Sequence, residues 1–369
     1  MAERGSSRRG VRCWFHNPQR PHGGSPMKPH RTIVVADHHK SVFVCQVLDR
    51  ETGEVTRRTL SSRRSELQPF LAGLEGRVLI YVEACRAWEW VSDLCEELGH
   101  DFRLVDPRRM PEIAHSAKKT DERDVEAMVR RLQVEGDLPQ SYRATRLERE
   151  RRALTRRLAD VRKGRRQVLI KIHAVIDAHG MPAKKAQFTK PQWRETTMGA
   201  LSADSWLDLE VLLLQLDQLL ALSELLERRI TVQLAEHSGY QRLQAIPGVG
   251  PAIAATIVAE SSGIERFRSA RQFAAFCGLV PRVRSSAGKA KHGRITRSGP
   301  RDLRWALGMA VMVGQFNKEP SPQSQMYRRK KRKGKPARVA LCAAANKLAR
   351  IVYVILARQE DYRGGVVTA

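Results

Sequence analysis

The stretch "TIVVAD", Thr32–Asp37, followed closely by "SVFVCQVLD", Ser41–Asp49, decides the fold of the first part of this chain. Each segment is an apolar run of strand length, and only three residues separate the two runs. This arrangement predicts a β-hairpin. The run "RVLIYVEA", Arg77–Ala84, is more strongly apolar still and predicts a third strand. A sheet therefore begins close to Arg31.

Helical segments alternate with these strands. "AWEWVSDLCEELG", Ala87–Gly99, has helical spacing and ends at a glycine, and "DFRLVD", Asp101–Asp106, is a short strand that stops before Pro107. "TDERDVEAMVRRLQ", Thr120–Gln133, has the pattern of an amphipathic helix. Strands interleaved with helices are typical of an α/β domain, which we expect over residues 31–140.

The remainder of the chain is mainly helical in pattern. Residues 1–30 are rich in Arg, Gly, Pro and His without periodicity, which predicts a disordered basic arm, and Met27 is an alternative start. Residues 141–238 contain two long helical stretches joined by a Pro/Gly-containing link. They fit either a bundle within one chain or a coiled coil that joins copies of the chain. Residues 239–369 form a third, C-terminal domain.

The charge points to a polyanionic partner. Lys and Arg total 66 against 39 Asp and Glu, a formal net charge of +27. Such a surface favours nucleic acid through counterion release. We expect no membrane span, because no apolar run of about 18 residues is present. The six cysteines form no CxxC pair, so neither a zinc site nor a disulfide framework is expected, and a reduced cytoplasmic setting fits.

Four acidic residues stand where a metal site would form. Asp37 ends the first strand, Glu83 ends the third, and Asp121 and Asp124 are three residues apart on one helix and share a face. Carboxylates that converge at strand ends suit Mg²⁺ or Mn²⁺, and two such ions support phosphodiester chemistry. Ordinary surface acids and a helix start at Thr120 explain the same residues, and the spacing leaves both interpretations open.

Glycines and serines mark two further candidates. In "IPGVGPAIA", Ile246–Ala254, Gly248 and Gly250 permit a tight turn before a helix N-terminus that can face phosphate, as in helix-hairpin-helix modules. A plain turn between core helices is the alternative. In "RVRSSAGKAKHG", Ser286 or Ser285 could attack a phosphodiester, with His292 moving a proton. Phosphate contact without bond formation explains the serines more simply. The candidate phosphate-binding cations of that stretch are Arg282, Arg284, Lys289 and Lys291.

A basic run, "YRRKKRKGK" from Tyr327 to Lys335, follows in the last domain. It is either a solvated charge run or a nonspecific contact to nucleic-acid backbone. The candidate contact residues are Arg328, Arg329, Lys330 and Lys331.

Together these segments resemble the insertion-sequence transposases of the IS one-ten (IS116/IS902-like) class, over roughly Arg31 to Tyr362. The resemblance rests on "KTDERDVEAMVR" and on the ordered series "IPGVGP", "RFRSARQFAAFCGLVPR", "SSAGK", "GRITRSG" and "LR". In that family an RNase H-like domain, similar to a Holliday-junction resolvase, binds Mg²⁺ through four carboxylates. These fall here on Asp37, Glu83, Asp121 and Asp124.

The resemblance also implies a mechanism and partners. The family's serine nucleophile falls on Ser286, although Ala287 follows it where the family has glycine, and Ser285 is the fallback. Family members form dimers that pair into tetramers through the long helices, with carboxylates of one subunit meeting the serine of another. They cut and rejoin DNA through a covalent intermediate, guided by a noncoding RNA from the element's ends.

The function expected is therefore a cytoplasmic, nucleoid-associated transposase that excises and inserts its own element. No nucleotide cofactor is expected, because no GxxxxGK[ST] loop is present. One alternative is a metal-dependent, structure-specific nuclease whose serine stretch only binds. The other is a decayed copy that binds nucleic acid without catalysis.

Overall fold

The computed structural model describes residues 30–114, 120–286 and 289–364 of the chain. The predicted basic arm lies outside these residues, apart from its last position. The chain divides after Arg146 into two compact units. The first is mixed α/β and the second is mainly helical, in agreement with the predicted fold class.

The first unit is built on a five-stranded mixed sheet. Its strands are β1 (Thr32–His38), β2 (Val42–Asp49), β3 (Val55–Ser61), β4 (Leu79–Glu83) and β5 (Asp101–Val105). The spatial order is β3-β2-β1-β4-β5, in which β2 is antiparallel to both β1 and β3, while β1, β4 and β5 are parallel. The predicted hairpin of the first two strands is confirmed by the register Ala36↔Cys45.

Four helices accompany this sheet. They are α1 (Arg64–Ala72), α2 (Trp88–Glu97), α3 (Pro111–Ala114) and α4 (Asp121–Glu135). One sheet face packs its odd-numbered β1 residues, such as Val35, against Val125 and Met128 of α4. The other face packs even-numbered residues, such as Val34, against α1 and α2. Because both faces are covered, β1 is continuously apolar from Ile33 to Ala36 instead of alternating.

Strand β3 and helix α1 had no counterpart in the sequence analysis. The sequence of β3, "VTRRTLS", is largely exposed because this strand lies at the edge of the sheet. Charged residues at an edge also discourage pairing with other chains. An edge strand therefore carries little of the apolar signal on which strand prediction depends.

The second unit contains nine α-helices and one hairpin within the described residues. The helices are α5 (Arg146–Ala178), α6 (Pro191–Ala200), α7 (Ala203–Leu234), α8 (Ser238–Leu243), α9 (Pro251–Glu260), α10 (Ala270–Phe276), α11 (Arg301–Gly314), α12 (Pro322–Arg332) and α13 (Ala337–Arg358). The strands are β6 (Pro281–Ser286) and β7 (Lys289–Ile295). The stretch that carries the two candidate serines forms a two-stranded antiparallel hairpin, which its polar strands did not signal.

The two long helices pack against each other as an antiparallel pair. Leu169 and Ile172 of α5 share a cluster with Leu212 of α7, and Arg162 forms an ion pair with Glu227 at 3.0 Å between Nη2 and Oε1. This packing accounts for one face of α7. Its other face exposes large apolar side chains, which are Leu207, Val211, Leu214, Leu222, Leu225 and Val232.

Helix α13 is the centre of the second unit's core. It packs against α8, α10, α11 and α12, and Leu348 and Val352 are among its fully buried residues. By length and composition α13 is apolar enough to cross a membrane, the only such helix in the described part of the chain. Its burial inside the unit explains that apolar composition as core packing.

Candidate functional site

The four predicted acidic residues come together at the carboxyl ends of β1 and β4 in the first unit's sheet. Ala36 pairs with Val82, so the following residues, Asp37 and Glu83, lie at the carboxyl ends of neighbouring parallel strands. Helix α4 begins at Asp121, and Thr120 caps it by accepting a hydrogen bond from the backbone N–H of Arg123. The packing of α4 on the sheet brings its first turn to the strand ends.

The carboxylates form two overlapping groups. Ligand atoms of Asp37, Glu83 and Asp124 lie within 4.8 Å of one another, and so do those of Asp37, Asp121 and His39. Asp37 belongs to both groups. We call the five residues together the acidic centre.

Burial makes the charge of this centre costly. Asp37 is only 4% exposed, and burial raises the pKa of its carboxyl. The carboxylates of Asp121 and Asp124 raise that pKa further, while His39 opposes them. Oxygen ligands crowded in this way fit a hard divalent cation, whose charge would offset the repulsion. The donor set therefore fits Mg²⁺ or Mn²⁺.

Sequence reasoning missed His39. Its Nε2 lies 3.1 Å from Asp37 Oδ2 and 3.1 Å from Asp121 Oδ1. Burial lowers the pKa of His39, but the two carboxylates outweigh that effect and raise it above its ordinary value. The available signal was its spacing, since residues two apart on a strand share a face. The adjacent His38 is instead buried, with Nε2 2.6 Å from Ser62 Oγ.

The candidate serine lies in the second unit, at the end of β6. Ser286 pairs with Lys289, Ser285 with Ala290, and Arg284 with Lys291. Positions two apart on a strand, and positions directly opposite, share a face of a sheet. Backbone register thus places 284, 286, 289 and 291 on one face of the hairpin, and Ser285 on the other. His292, opposite Val283, also belongs to that other face, and Ala287 and Gly288 lie outside the described residues.

Another cation at the base of this hairpin has a described side chain. Arg282 is exposed, and its Nη2 lies 3.5 Å from the carbonyl oxygen of Thr296. Its guanidinium group has further N–H donors available for other partners.

The two predicted glycines differ in their surroundings. The turn from Gln244 to Gly250 joins α8 to α9 and packs on α11. Gly248 has φ +95°, and a Cβ there would lie 2.3 Å from the carbonyl oxygen of Ala310. Gly250 precedes Pro251, the first residue of α9, and a Cβ there would meet nothing within 4 Å. Of these two glycines, only Gly250 has room for a side chain.

A cleft of about 700 Å³ lies beside this turn. The turn lines this cleft together with Trp305 and Val313 of α11. Trp305 is 40% exposed. The cleft thus combines a helix N-terminus, which favours phosphate, with an exposed aromatic ring.

The basic run continues helix α12. Tyr327 is buried, with Lys331 Nζ 5.9 Å from its ring centre, and Arg328 donates a hydrogen bond to the carbonyl of Gln315. Arg328, Arg329 and Lys331 are exposed, and Lys330 is half-buried. The run is therefore a surface helix end rather than an extended tail.

Comparison with known proteins gives consistent relatives. The family described as "Transposase IS116/IS110/IS902 family" matches residues 240–328. A Pseudomonas aeruginosa protein named "Probable family 20 transposase" is 31% identical over 346 residues, 89% of this chain and 98% of the relative. The "Transposase for insertion sequence element IS1328" of Yersinia enterocolitica is 26% identical over 89% of this chain and 97% of the relative.

A more distant relative has a different title. The "Pilin gene-inverting protein" of Moraxella bovis is 29% identical over 121 residues, 32% of this chain and 37% of that protein. The long match to the Pseudomonas relative, together with the family match in the C-terminal region, decides the assignment. The chain therefore belongs to the IS116/IS110/IS902 family of transposases, enzymes that act on DNA.

Proposed function

We propose that this transposase excises and inserts its own insertion sequence through a phosphoserine intermediate. The observation that carries the proposal is the convergence of four carboxylates at the carboxyl ends of β1 and β4. Such a centre suits phosphodiester chemistry, and the second unit offers a serine flanked by cations. An RNase H-like assignment of the first unit is part of the proposal, supported by its mixed sheet with acids at neighbouring parallel strand ends.

The acidic centre would position the scissile phosphate. Asp37, Glu83, Asp121 and Asp124 would hold Mg²⁺ or Mn²⁺, and the ion supplies charge stabilisation at the reacting phosphate. The burial of Asp37 keeps that carboxylate in a fixed position and limits water around it.

Ser286 would act as the nucleophile. Its hydroxyl loses a proton, and its oxygen bonds to phosphorus while the bond from phosphorus to the 3′ oxygen breaks and the 3′ oxygen gains a proton. A 3′-hydroxyl of the other DNA then loses its proton and attacks the phosphoserine, which restores the serine. One phosphoester bond replaces another at each step, so no nucleotide is consumed. The shared face of positions 284, 286, 289 and 291 favours Ser286 over Ser285.

The partners proposed are DNA, a guide RNA and further copies of the chain. The net charge of +27 suits two nucleic acids together. Gly250 and the exposed cations of α12 would contact backbone phosphates. The apolar stripe of α7, defined by its six exposed residues above, supports dimers that pair into tetramers through the long helices. Such assemblies would act on the nucleoid.

A covalent-adduct assay tests the mechanism. The full chain is incubated with Mg²⁺, DNA of a candidate element end and RNA transcribed from the element's flank, and a denaturation-resistant protein–DNA adduct is measured. We expect the wild type to form it and Ser286→Ala to lose it. Asp121→Asn should slow cleavage by about 10²–10³-fold, because several kcal/mol of charge stabilisation is removed. Glu54→Gln, an exposed acid of the same unit, is the control.

The assay also separates the alternatives. If the DNA is cleaved without an adduct, and if that cleavage persists in Ser286→Ala, serine chemistry is contradicted and a hydrolytic nuclease is favoured. That alternative has one observation in its favour, because the acidic centre is complete within the first unit. An adduct lost only in Ser285→Ala would move the nucleophile to Ser285. Unchanged cleavage in Asp121→Asn would overturn the role of the acidic centre.

A further inference from the structure

His39 is the one member of the acidic centre that is not a carboxylate. Asp37 and His39 are two residues apart where β1 ends, so they project from the same side of the chain. The backbone N–H of His39 donates to the carbonyl of Val42 at 2.8 Å, which closes the turn into β2. The ring of His39 is thus attached to the hydrogen-bonded turn that joins β1 to β2.

The two groups of the centre divide the carboxylates unequally. One group, Asp37, Glu83 and Asp124, contains three of the four acids. The fourth acid, Asp121, has its carboxylate oxygen within 4.8 Å of ligand atoms of Asp37 and His39. A second cation beside the first would therefore meet two carboxylate oxygens and one imidazole nitrogen. Asp37, present in both groups, would be the shared ligand.

We propose that His39 is a metal ligand, which together with Asp37 and Asp121 holds a second divalent cation and gives that position a preference for Mn²⁺ over Mg²⁺. The proposal rests on the metal-binding role of the acidic centre proposed above. Its basis is the pair of 3.1 Å distances from His39 Nε2 to the two carboxylates. Mg²⁺ takes oxygen ligands and keeps its waters. Mn²⁺ also prefers carboxylate oxygen, but as a first-row transition ion it accepts an imidazole nitrogen in a mixed nitrogen and oxygen site more readily than Mg²⁺ does.

The other interpretation of the same contacts is that His39 is a counter-ion. A protonated ring between two carboxylates would occupy the place of a cation and compete with it. The two interpretations predict opposite effects of removing the ring. If the ring is a metal ligand, its removal weakens binding of the cation. If the ring is a competing charge, its removal tightens binding of the cation.

Manganese titration of the full chain without DNA distinguishes them. Free Mn²⁺ is followed by its paramagnetic resonance signal, which gives stoichiometry and affinity, and Mg²⁺ is then added as a competitor. We expect two Mn²⁺ per wild-type chain, one of which resists Mg²⁺. In His39→Ala that ion should bind about tenfold more weakly or worse, since even a lost outer-shell partner costs about tenfold.

Two further variants complete the design. Asp124→Asn should weaken the other ion and leave the Mg²⁺-resistant one. His179→Ala removes an exposed imidazole, hydrogen-bonded to the carbonyl of Val175 in the second unit, and controls for adventitious binding by histidines. It should match the wild type.

The outcomes separate this inference from the proposed function. Equal or tighter Mn²⁺ binding in His39→Ala, with weakened binding in Asp124→Asn, overturns the role of His39 alone. Equal Mg²⁺ competition at both ions of the wild type overturns the Mn²⁺ preference. A wild type that binds neither ion overturns the metal centre itself, and the role of His39 with it.

Discussion

The acidic centre and the glycine turn use opposite means to present functional groups. In the acidic centre the groups are side chains, and one of them, that of Asp37, is almost wholly buried. In the glycine turn, Gln244 to Gly250, the groups are backbone N–H donors at the start of α9, and Gly250 is exposed. The acidic centre depends on side chains that the sheet core holds in place. The glycine turn depends on residues that have no side chain, so that the backbone is accessible.

This difference decides what a substitution does in each region. Replacing a carboxylate by its amide keeps the shape of the acidic centre and removes its charge, so activity changes while packing stays. Adding one carbon to the glycine turn acts on packing or on access, depending on which glycine receives it. The apolar stripe of α7 is a third case in the second unit, because its exposed residues would act through the proposed assembly.

The largest effect is expected for Gly248→Ala. Its Cβ would meet backbone atoms of Ala310 and Gly314, which cannot move aside easily, at a φ that L residues avoid. Overpacking and backbone strain together should lower the free energy of unfolding by about 3 kcal/mol or more. Thermal and urea unfolding measure this loss.

Gly334→Ala is the matched control for Gly248→Ala. It also has a positive φ, of 74°, but a Cβ there meets nothing within 4 Å. Only the backbone strain remains, about 1–2 kcal/mol. Equal losses in the two variants would show that close approach to α11 contributes nothing.

An intermediate effect is expected for Leu225→Glu in the apolar stripe. Leu225 is 59% exposed, and its burial between copies of the chain would contribute about 1.5–3 kcal/mol. Its loss should raise the dissociation constant of the dimer by about tenfold or more, as measured by sedimentation equilibrium. Thr231→Glu places the same charge at another exposed position of α7 and should leave assembly unchanged. Identical sedimentation of both variants would remove the stripe from the interface.

The smallest effect is expected for Gly250→Ala. The new methyl fits without contact, with φ at −82°, so stability should fall by only about 0.5–1 kcal/mol, because Ala is a poorer N-cap residue than Gly. It would stand beside the first N–H groups of α9 and weaken one phosphate contact. Affinity for DNA should fall about two- to tenfold at fixed salt, the value of one hydrogen bond. Gly199→Ala, another open glycine, should bind as the wild type does.

Much of the first unit could be predicted because its signals are local. The strands β1, β2, β4 and β5 are apolar runs, and helices α2 and α4 have clear periodicity. Strand β3 escaped because an edge strand needs no apolar face. The hairpin β6–β7 escaped because its strands, PRVRSS and KAKHGRI, are largely polar and basic, whereas strand prediction relies on β-branched and aromatic residues.

For the candidate site, sequence position predicted the acids but not their geometry. Asp37 and Glu83 follow strands, and Asp121 begins a helix after a capping threonine, which are local facts. The packing of α4 across the sheet decides whether their carboxylate oxygens lie close enough together to hold one metal ion. The local signal for His39 was only its spacing from Asp37, and a histidine in a turn is ordinary until its contact with Asp121 is known.

The sequence by itself determined the polyanionic partner, the α/β and helical parts, and the four candidate acids. Composition, periodicity and strand ends are encoded by neighbouring residues, so no folding is needed to read them. Only the tertiary structure decided that His39 joins Asp37 and Asp121, that Gly248 serves packing while Gly250 stays open, and that one face of α7 is covered by α5. Each of these depends on a contact between residues distant in the chain, and such contacts exist only once the cores have formed.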